Sequence, residues 1–232
     1  MTSVLVTVNK KLTAIIAVRK GSERVKDKNI RPFADTTLLE NKIKQLIRTN
    51  CADEICVSSN CEKMLAVAND LGTRAIKREE KYATSYMPMN DVYKHLSSLA
   101  SNEHILYVHV TSPLLLDQSL IQCVETYRSL EGDYDSLATV THLEEYIWND
   151  LGAVNYDPNH HPRSQDLPKW YCLNFAVNIL PKKIMYNHKN IVGKRFYPYF
   201  LDEIESVDVD NIVDFQYAEF LYKKRIKNEK NI

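Results

Sequence analysis

Short apolar runs alternate along this chain with stretches whose apolar residues recur at helical spacing. The alternation predicts strand followed by helix several times over, which favours a three-layer α/β architecture with a mostly parallel sheet. The predicted strands are Leu12–Val18, Ile55–Ser58, Arg74–Lys77, His104–Val110, Asn174–Leu180 and Glu205–Val209. Ligands of such sheets bind outside the carboxyl ends of the strands, so the loops after Val18 and Val110 are the first places to seek a site.

Several predicted helices have typical terminal residues. Gly72 stands where a C-terminal cap is expected, and Pro181 suits a first helical turn. Asp117 can cap the helix that follows the strand ending at Val110. Asp210 and Asn211 open the last predicted helix.

Length and charge limit the classes of protein to consider. The 232 residues suit a single α/β domain, 1–232, from which the stretch 143–170 departs as a small subdomain or an oligomer contact. Lys and Arg together number 30, as do Asp and Glu. This balance argues against binding nucleic acid or a membrane surface through bulk positive charge, so any anion site must be local.

Targeting and cysteine patterns favour a cytoplasmic protein. The apolar run Val4–Val8 has no basic region before it, and Lys10 and Lys11 follow it, which is the reverse of a signal peptide. The five cysteines are odd in number and lack Cys-x-x-Cys spacing. They are therefore interpreted as reduced thiols rather than as a disulfide framework or a zinc site.

The loop after the first predicted strand is the strongest functional signal. Residues 19–29 place five cations in eleven positions of a chain whose formal charge is zero. Gly21 permits a close backbone approach, Ser22 and nearby N–H groups can form an anion-binding concavity, Arg19 offers a planar fork and Lys28 a compact charge. The loop lacks the G-x-G-x-x-G and G-x-x-x-x-G-K-[ST] patterns. A solvated charged loop is the alternative, but the position at a strand end favours a polyphosphate site.

The segment 17–29, AVRKGSERVKDKN, resembles the A-R-G-G-S-K-R…K-N signature of the acylneuraminate (sialic acid) cytidylyltransferases. Further blocks resemble this family in the same order, from about Thr13 to Leu221. They are Arg78 before an acidic segment, VHVTSPL at 108–114, RSQDLP at 163–168, NFAVNI at 174–179, and SVDVD at 206–210 with Ala218–Glu219 downstream.

The resemblance implies a Rossmann-like nucleotidyltransferase fold and transfer of CMP from CTP to a nonulosonic, sialic-type sugar acid, with release of pyrophosphate. The nucleotide-binding residues that it implies are Arg19, Gly21, Ser22, Lys28, Asn29 and Arg78. The catalytic residues that it implies are Arg19, Lys28, Asp208 and Asp210. Lys28 is the first choice for stabilising charge on the α-phosphate in the transition state.

Asp208 and Asp210 are predicted to bind Mg²⁺. Two residues apart on an extended strand, they project to the same side, and paired carboxylates suit a hard cation that also contacts substrate oxygens. Asp210 could instead serve only as the N-cap of the last helix. Capping leaves Asp208 unexplained, so the metal hypothesis is favoured.

The sequence signal for residues that contact the sugar acceptor is less specific than the signal for the nucleotide loop. The resemblance implies sugar contacts from His109, Thr111, Ser112, Gln165 and Asn174. Each has an ordinary alternative, because turn formation explains Thr111 and Ser112, and local hydrogen bonding explains the other three.

Departures from the family pattern concentrate on the sugar side. In the loop, Lys20 and Glu23 replace a usual Gly and Lys, whereas His109, Leu115 and Phe175 replace a usual Gln, Arg and Gly. The open alternatives are therefore a nucleotidyltransferase of this fold that acts on Kdo, a phosphosugar or another acceptor, and a non-catalytic nucleotide-binding protein.

The resemblance also implies that the excursion at 143–170 forms a homodimer contact and completes the sugar pocket of the neighbouring subunit. Tyr146, Trp148 and Trp170 are the expected anchors of that contact, because aromatic side chains are enriched in interface cores.

Overall fold

The computed structural model describes residues 10–229, so the apolar run Val4–Val8 lies outside the described residues. The strands are β1 Leu12–Ala17, β2 Pro32–Phe33, β3 Thr36–Thr37, β4 Glu54–Ser59, β5 Arg74–Lys77, β6 His104–Val108, β7 Ser136–Leu143, β8 Trp148–Asn149, β9 Gly152–Ala153, β10 Trp170–Pro181 and β11 Phe196–Phe200. The helices are α1 Leu38–Thr49, α2 Glu62–Asp70, α3 Met89–Ser98, α4 Asp117–Ser129, α5 Lys182–His188 and α6 Ile212–Glu229. Over residues 10–229, none of these helices is both long and apolar enough to cross a bilayer.

The central sheet has the strand order β11-β7-β10-β6-β1-β4-β5. Strands β6, β1, β4 and β5 are parallel neighbours, β11 is parallel to β7, and β10 runs antiparallel between β6 and β7. The prediction of a mostly parallel α/β sheet is confirmed.

Alternate residues of the central strands pack into two separate cores. On β1, Ala14 and Ile16 contribute to the core beneath α1, α2, α4 and α6, whereas Ile15 joins the core beneath α3 and α5. This alternation follows from the two-residue period of a strand. Both faces of the sheet are therefore covered by helices, as a three-layer fold requires.

Strands β7 and β11 are absent from the sequence prediction. In β7 the fully buried polar side chains of Ser136 and Thr139 interrupt the apolar run, and the Thr139 hydroxyl bonds to the backbone of Val177. Strand β11 contains Pro198, which argues against a strand unless the strand lies at a sheet edge, where this one lies.

The predicted strand Glu205–Val209 is wrong. This segment is a turn and loop outside the sheet. The N–H groups of Ser206 and Val207 make turn bonds, and that of Val209 bonds to the carbonyl of Thr111 at 2.8 Å, so no strand ladder forms. The Asp202 carboxylate accepts a bond from the backbone N–H of Glu205 at 2.7 Å, and the Glu205 carboxylate accepts one from the N–H of Leu116 at 2.8 Å.

Two predicted helix ends also need correction. Asp117 is the first residue of α4 rather than its cap, and its carboxylate binds Arg48 at 2.5 and 2.8 Å. Asn211 caps α6, since its side-chain oxygen accepts bonds from the N–H groups of Val213 and Asp214 at 2.8 and 3.1 Å. The carboxylate of Asp210 takes no part in that capping.

Candidate active site

A cleft of about 230 Å³ opens at the carboxyl end of β1. The residues lining it are Ala17, Val18, Arg19, Ser22, Glu23, Arg24, Val25, Lys28, Asn29 and Asp210. The structure therefore brings the basic loop predicted from the sequence into one cleft with a carboxylate from the far end of the chain.

The loop is held in shape by its own backbone and by two buried side chains. Gly21 turns the chain with φ of 80°, a conformation that glycine adopts without strain. Val25 is buried, and the side-chain amide of Asn29 donates to the carbonyl of Arg19 at 3.4 Å. Since the Asn29 carbonyl accepts from the N–H of Leu39 at 2.9 Å, the loop is also tied to α1.

Lys28 connects the basic loop near the start of the chain with Asp208 and Asp210 near its end. Its Nζ donates to the carbonyl of Val209 at 2.6 Å, and Val209 stands between Asp208 and Asp210. The guanidinium of Arg24 pairs with the Asp210 carboxylate at 3.1 Å. Arg24 lies in the basic loop predicted from the sequence. It was counted among the five cations of that loop but was given no individual role.

Burial favours the neutral forms of both Lys28 and Asp208. It lowers the pKa of Lys28 below its usual range, although Asp208 and Asp210 favour the charged amine. Burial raises the pKa of Asp208, although a hydrogen bond from Thr111 opposes the shift. A bound polyanion beside Lys28 and a bound cation beside Asp208 would each stabilise the charged form.

The two acids suit the predicted magnesium ion. Mg²⁺ is usually bound through one or two carboxylates, with substrate phosphates and waters as its other ligands. Asp208 and Asp210 would supply hard oxygens in that number. Burial raises the pKa of Asp208 and the Asp210 carboxylate adds to that shift, so a bound cation would favour the charged form of Asp208.

Arg78 supports the cleft from behind. Its side chain is buried, and its guanidinium donates to the carbonyl of Val18 at the start of the loop. The short 3₁₀ segment Glu80–Ala83 follows, and it accepts a bond from Arg19 at 3.5 Å and an ion pair from Lys20 at 3.1 Å. Arg78 therefore shapes the loop but is not among the residues that line the cleft.

The predicted sugar residues of β6 and β10 meet at the same edge of the sheet. The N–H of His109 donates to the carbonyl of Ala176 at 3.4 Å, which brings the segment after β6 beside Asn174. Thr111 donates to Asp208 through its side chain and accepts from the N–H of Val209 through its carbonyl, at 2.8 Å. The edge of the sheet that carries the predicted sugar residues is therefore adjacent to Asp208 and Asp210.

Residues 13–230 match the family model described as cytidylyltransferase. The chain belongs to the cytidylyltransferase family. An N-acylneuraminate cytidylyltransferase of Escherichia coli is 26% identical over 226 residues, which are 93% of this chain and 53% of that protein. A pseudaminic acid cytidylyltransferase of Campylobacter jejuni is 27% identical over 222 residues, which are 90% of this chain and 95% of that protein. The family predicted from the sequence blocks is confirmed.

A solved structure agrees in fold. A CMP:2-keto-3-deoxy-manno-octonic acid synthetase complexed with CTP superposes with a TM-score of 0.69 at 10% sequence identity, covering 93% of this chain and 99% of the other. The chain spans about half the length of the E. coli relative and nearly the whole length of the C. jejuni relative.

One of the predicted sugar residues lies away from the cleft at the end of β1. Gln165 is exposed in the excursion and lines a separate cleft of about 150 Å³ with His142 and Trp170. Within the single described chain, it does not join the residues around Lys28.

Lys42 is an important residue that the sequence interpretation missed. It is fully buried, and its Nζ donates to the side-chain oxygen of Gln45 at 2.7 Å and to the carbonyl of Ser112 at 3.2 Å. It thereby ties α1 to the loop that follows β6. Helical spacing could have predicted its burial, because Lys42 lies four residues from both Leu38 and Leu46 on the buried face of α1.

Burial lowers the pKa of Lys42 from 10.5 to about 7, with Asp117 and Cys51 opposing the shift. Between these two values the unfolded chain binds more protons than the folded one, so stability rises with pH. We expect the wild type to gain about 2 kcal/mol of unfolding free energy between pH 7 and pH 9, and Lys42→Met to lose that gain. Urea unfolding at both pH values measures it. Lys44→Met on the same helix is the control, and an unchanged pH dependence in Lys42→Met would refute the expectation.

Proposed function

We propose that this protein transfers CMP from CTP to a nonulosonic sugar acid and releases pyrophosphate. The observation that carries the proposal is the convergence of Lys28, Val209 and the two acids beside the cleft at the end of β1. The names of the relatives support it, since they denote enzymes that act on N-acylneuraminate and pseudaminic acid.

The chemistry is a displacement at phosphorus. A hydroxyl oxygen of the sugar acid attacks the α-phosphorus of CTP, a new O–P bond forms, and the bond from that phosphorus to the bridging oxygen of the β-phosphate breaks. Pyrophosphate leaves with the bonding electron pair, and the hydroxyl proton passes to solvent. Since both reactants are anions, catalysis consists mainly of positioning and neutralisation of charge.

Different residues in and around the cleft position the phosphates and neutralise their charge. Arg19, Ser22 and the backbone at Gly21 hold the phosphates, and Lys28 stabilises charge that develops on the α-phosphate. Asn29 and Arg78 keep the loop in the shape that allows this. Asp208 and Asp210 would hold Mg²⁺, which supplies positive charge to the phosphate oxygens when bound.

A pyrophosphate-release assay tests the proposal. CTP and Mg²⁺ are supplied with N-acetylneuraminate, pseudaminic acid, 2-keto-3-deoxy-manno-octonic acid or a sugar phosphate. We expect release with at least one nonulosonic acid. Release with only a sugar phosphate would favour another nucleotidyltransferase. A rise in melting temperature with CTP and Mg²⁺, but no release with any acceptor, would indicate a non-catalytic nucleotide-binding protein.

We further propose that the protein is a homodimer joined through the excursion. Asn155 is buried there and organises the hairpin by accepting from the N–H of Ile147 at 2.9 Å and donating to the carbonyl of Glu145 at 2.8 Å. Large apolar side chains project from this ordered segment, with Trp148 58% and Leu151 96% exposed. Such a patch is typical of an interaction surface.

Light scattering coupled to gel filtration tests the dimer. We expect a species of twice 26.9 kDa at micromolar concentration, and dissociation to the monomer in Leu151→Asp. Tyr86→Asp is the control, because Tyr86 is equally exposed but lies outside the excursion. A wild-type monomer would contradict the proposal.

We also propose a cytoplasmic location for the enzyme. The five cysteines are free in the structure, which suits a reducing compartment.

A further inference from the structure

The loop at residues 111–115, which follows β6, is bonded to other parts of the chain at every residue. Each of its five backbone carbonyls accepts a hydrogen bond from a group outside the loop. The donors are the N–H of Val209 to Thr111 at 2.8 Å, Lys42 to Ser112 at 3.2 Å, Asn41 to Pro113 at 3.2 Å, Arg225 to Leu114 at 2.9 Å and Gln45 to Leu115 at 2.7 Å. Since buried backbone groups need partners, this pairing favours one conformation of the loop.

Three of these donors belong to α1, and Lys42 is the most unusual of them. Its side chain is fully buried, and its amine has the carbonyl of Ser112 and the side-chain oxygen of Gln45 as acceptors. Burying an amine costs free energy that a methionine at the same position would not cost. One use of such a buried polar group is to specify a single arrangement of its partners.

Thr111 is the residue through which this loop contacts the acid pair. Its side chain donates to Asp208, and its carbonyl accepts from the N–H of Val209 at 2.8 Å. The carbonyl of Val209 accepts in turn from Lys28 Nζ at 2.6 Å. Lys42 therefore holds the residue next to the one that contacts Asp208.

Helix α1 also holds the end of the basic loop. The N–H of Leu39, in the first turn of the helix, donates to the carbonyl of Asn29 at 2.9 Å, and Asn29 directly follows Lys28. Lys42 lies three residues after Leu39, which is less than one helical turn. A single turn of α1 thus contacts both the basic loop and the loop that reaches Asp208, so it fixes the spacing between them.

We propose that α1 positions Asp208 for Mg²⁺ through Lys42, with Asn41 as a second and weaker support. This inference rests on the metal role proposed above for Asp208 and Asp210. Lys42 and Asn41 act through Thr111, so both are positioning residues rather than metal ligands. Removing a group that orients a metal ligand typically weakens metal binding by about 10–100-fold, and we expect smaller effects from groups that act one residue further away.

Calorimetry with CTP tests the proposal without any acceptor. The Kd for CTP is measured in EDTA and again in saturating Mg²⁺, and the ratio of the two values reports how strongly the metal assists nucleotide binding. We expect a wild-type ratio above about 10. Thr111→Val should lower it about tenfold, Lys42→Met about fivefold and Asn41→Ala about threefold. The Kd in EDTA should stay close to that of the wild type, because the basic loop is unaltered.

A double-mutant cycle shows whether Lys42 acts through Thr111. When Thr111→Val has already removed the contact to Asp208, adding Lys42→Met should lower the ratio little further. Effects that multiply in full would mean that Lys42 acts independently of Thr111, and they would overturn the proposal. Lys44→Met, at an exposed position of the same helix, is the control and should match the wild type.

Folding is assessed separately from metal use. Unfolded protein lowers the number of sites that titrate but leaves the ratio of the two Kd values unchanged, and melting temperatures report stability directly. If Lys42→Met does not fold, Asn41→Ala decides the question, since Asn41 is only partly buried. An unchanged ratio in folded Lys42→Met, or in Asn41→Ala when that variant alone can be measured, would show that α1 does not position the acid.

The remaining outcomes distinguish this inference from the proposed function. If the wild-type ratio is close to one, or if Asp208→Asn leaves it unchanged, the metal assignment is wrong and the inference is wrong with it. If the ratios change as expected but no acceptor yields pyrophosphate, the transfer reaction is refuted while the positioning role of α1 is supported.

Discussion

Lys28→Ala is expected to lower the rate of pyrophosphate release by about 10²–10³-fold, the usual cost of removing one preorganised group that stabilises transition-state charge. The amine lies beside the cleft, bonded to the Val209 carbonyl and close to both acids. Its pKa is lowered by burial, so wild-type activity should also decline with rising pH earlier than an ordinary lysine would predict. Initial rates under saturating CTP measure the first effect. The pH profile of kcat/KM for CTP, which reports the free enzyme, measures the second.

Folding and charge controls accompany the Lys28 variant. Loss of one hydrogen bond costs about 1 kcal/mol, so the melting temperature should fall by only about 2–4 °C. Lys26→Ala removes an exposed cation from the same loop and should leave the rate nearly unchanged. Near-normal turnover in Lys28→Ala would remove Lys28 from the mechanism.

Asp208→Asn should raise the Mg²⁺ concentration for half-maximal activity by about tenfold or more and lower the maximal rate by about 10²-fold. Asparagine keeps an oxygen that can accept the bond from Thr111, so the change isolates the charge. Because burial raises the pKa of Asp208, protons compete with Mg²⁺ for its carboxylate more strongly than at an ordinary aspartate. The Mg²⁺ concentration for half-maximal activity of the wild type should therefore rise toward acid pH, and the variant should lose that dependence. Mg²⁺ titrations at several pH values measure these effects.

Glu203→Gln is the matched control for Asp208. Glu203 is exposed in the turn that precedes the acid pair, and it does not line the cleft. Its Mg²⁺ titration should coincide with that of the wild type. An unchanged titration in Asp208→Asn would count against the metal assignment.

Local patterns were sufficient to predict the parts of the fold that depend on local chemistry. The strand beginning at Leu12 and the loop at 19–29 follow from an uninterrupted apolar run and a run of cations, and both stand where expected. The spacing of parallel strands and helices was likewise enough to predict the layers. Gly72 has the expected place after α2, since φ of 72° is a property of a single residue. Pro181 was expected in a first helical turn, but it ends β10 and immediately precedes α5 instead.

The structural features that the sequence did not predict depend on partners that are far away along the chain. Thr139 is too polar for a core strand unless the backbone of Val177 is there to bond its hydroxyl, and Ser136 depends in the same way on Gly193. The buried amine of Lys42 likewise depends on Ser112 and Gln45. Asp208 was predicted to bind metal from a strand geometry that the segment does not have. A turn places it beside Thr111 instead, which no local pattern could indicate.

The reversed direction of β10 has a consequence for how such enzymes can diversify. An antiparallel strand enters the sheet at the edge where its parallel neighbours end, so Asn174 and Phe175 emerge beside the carboxyl end of β6. The hairpin that precedes β10 is attached at that edge as well, since Leu143 pairs with Trp170. Mutations can therefore accumulate in one continuous hairpin beside the proposed acceptor site, while the parallel strands that carry the proposed phosphate loop keep their sequence and their register.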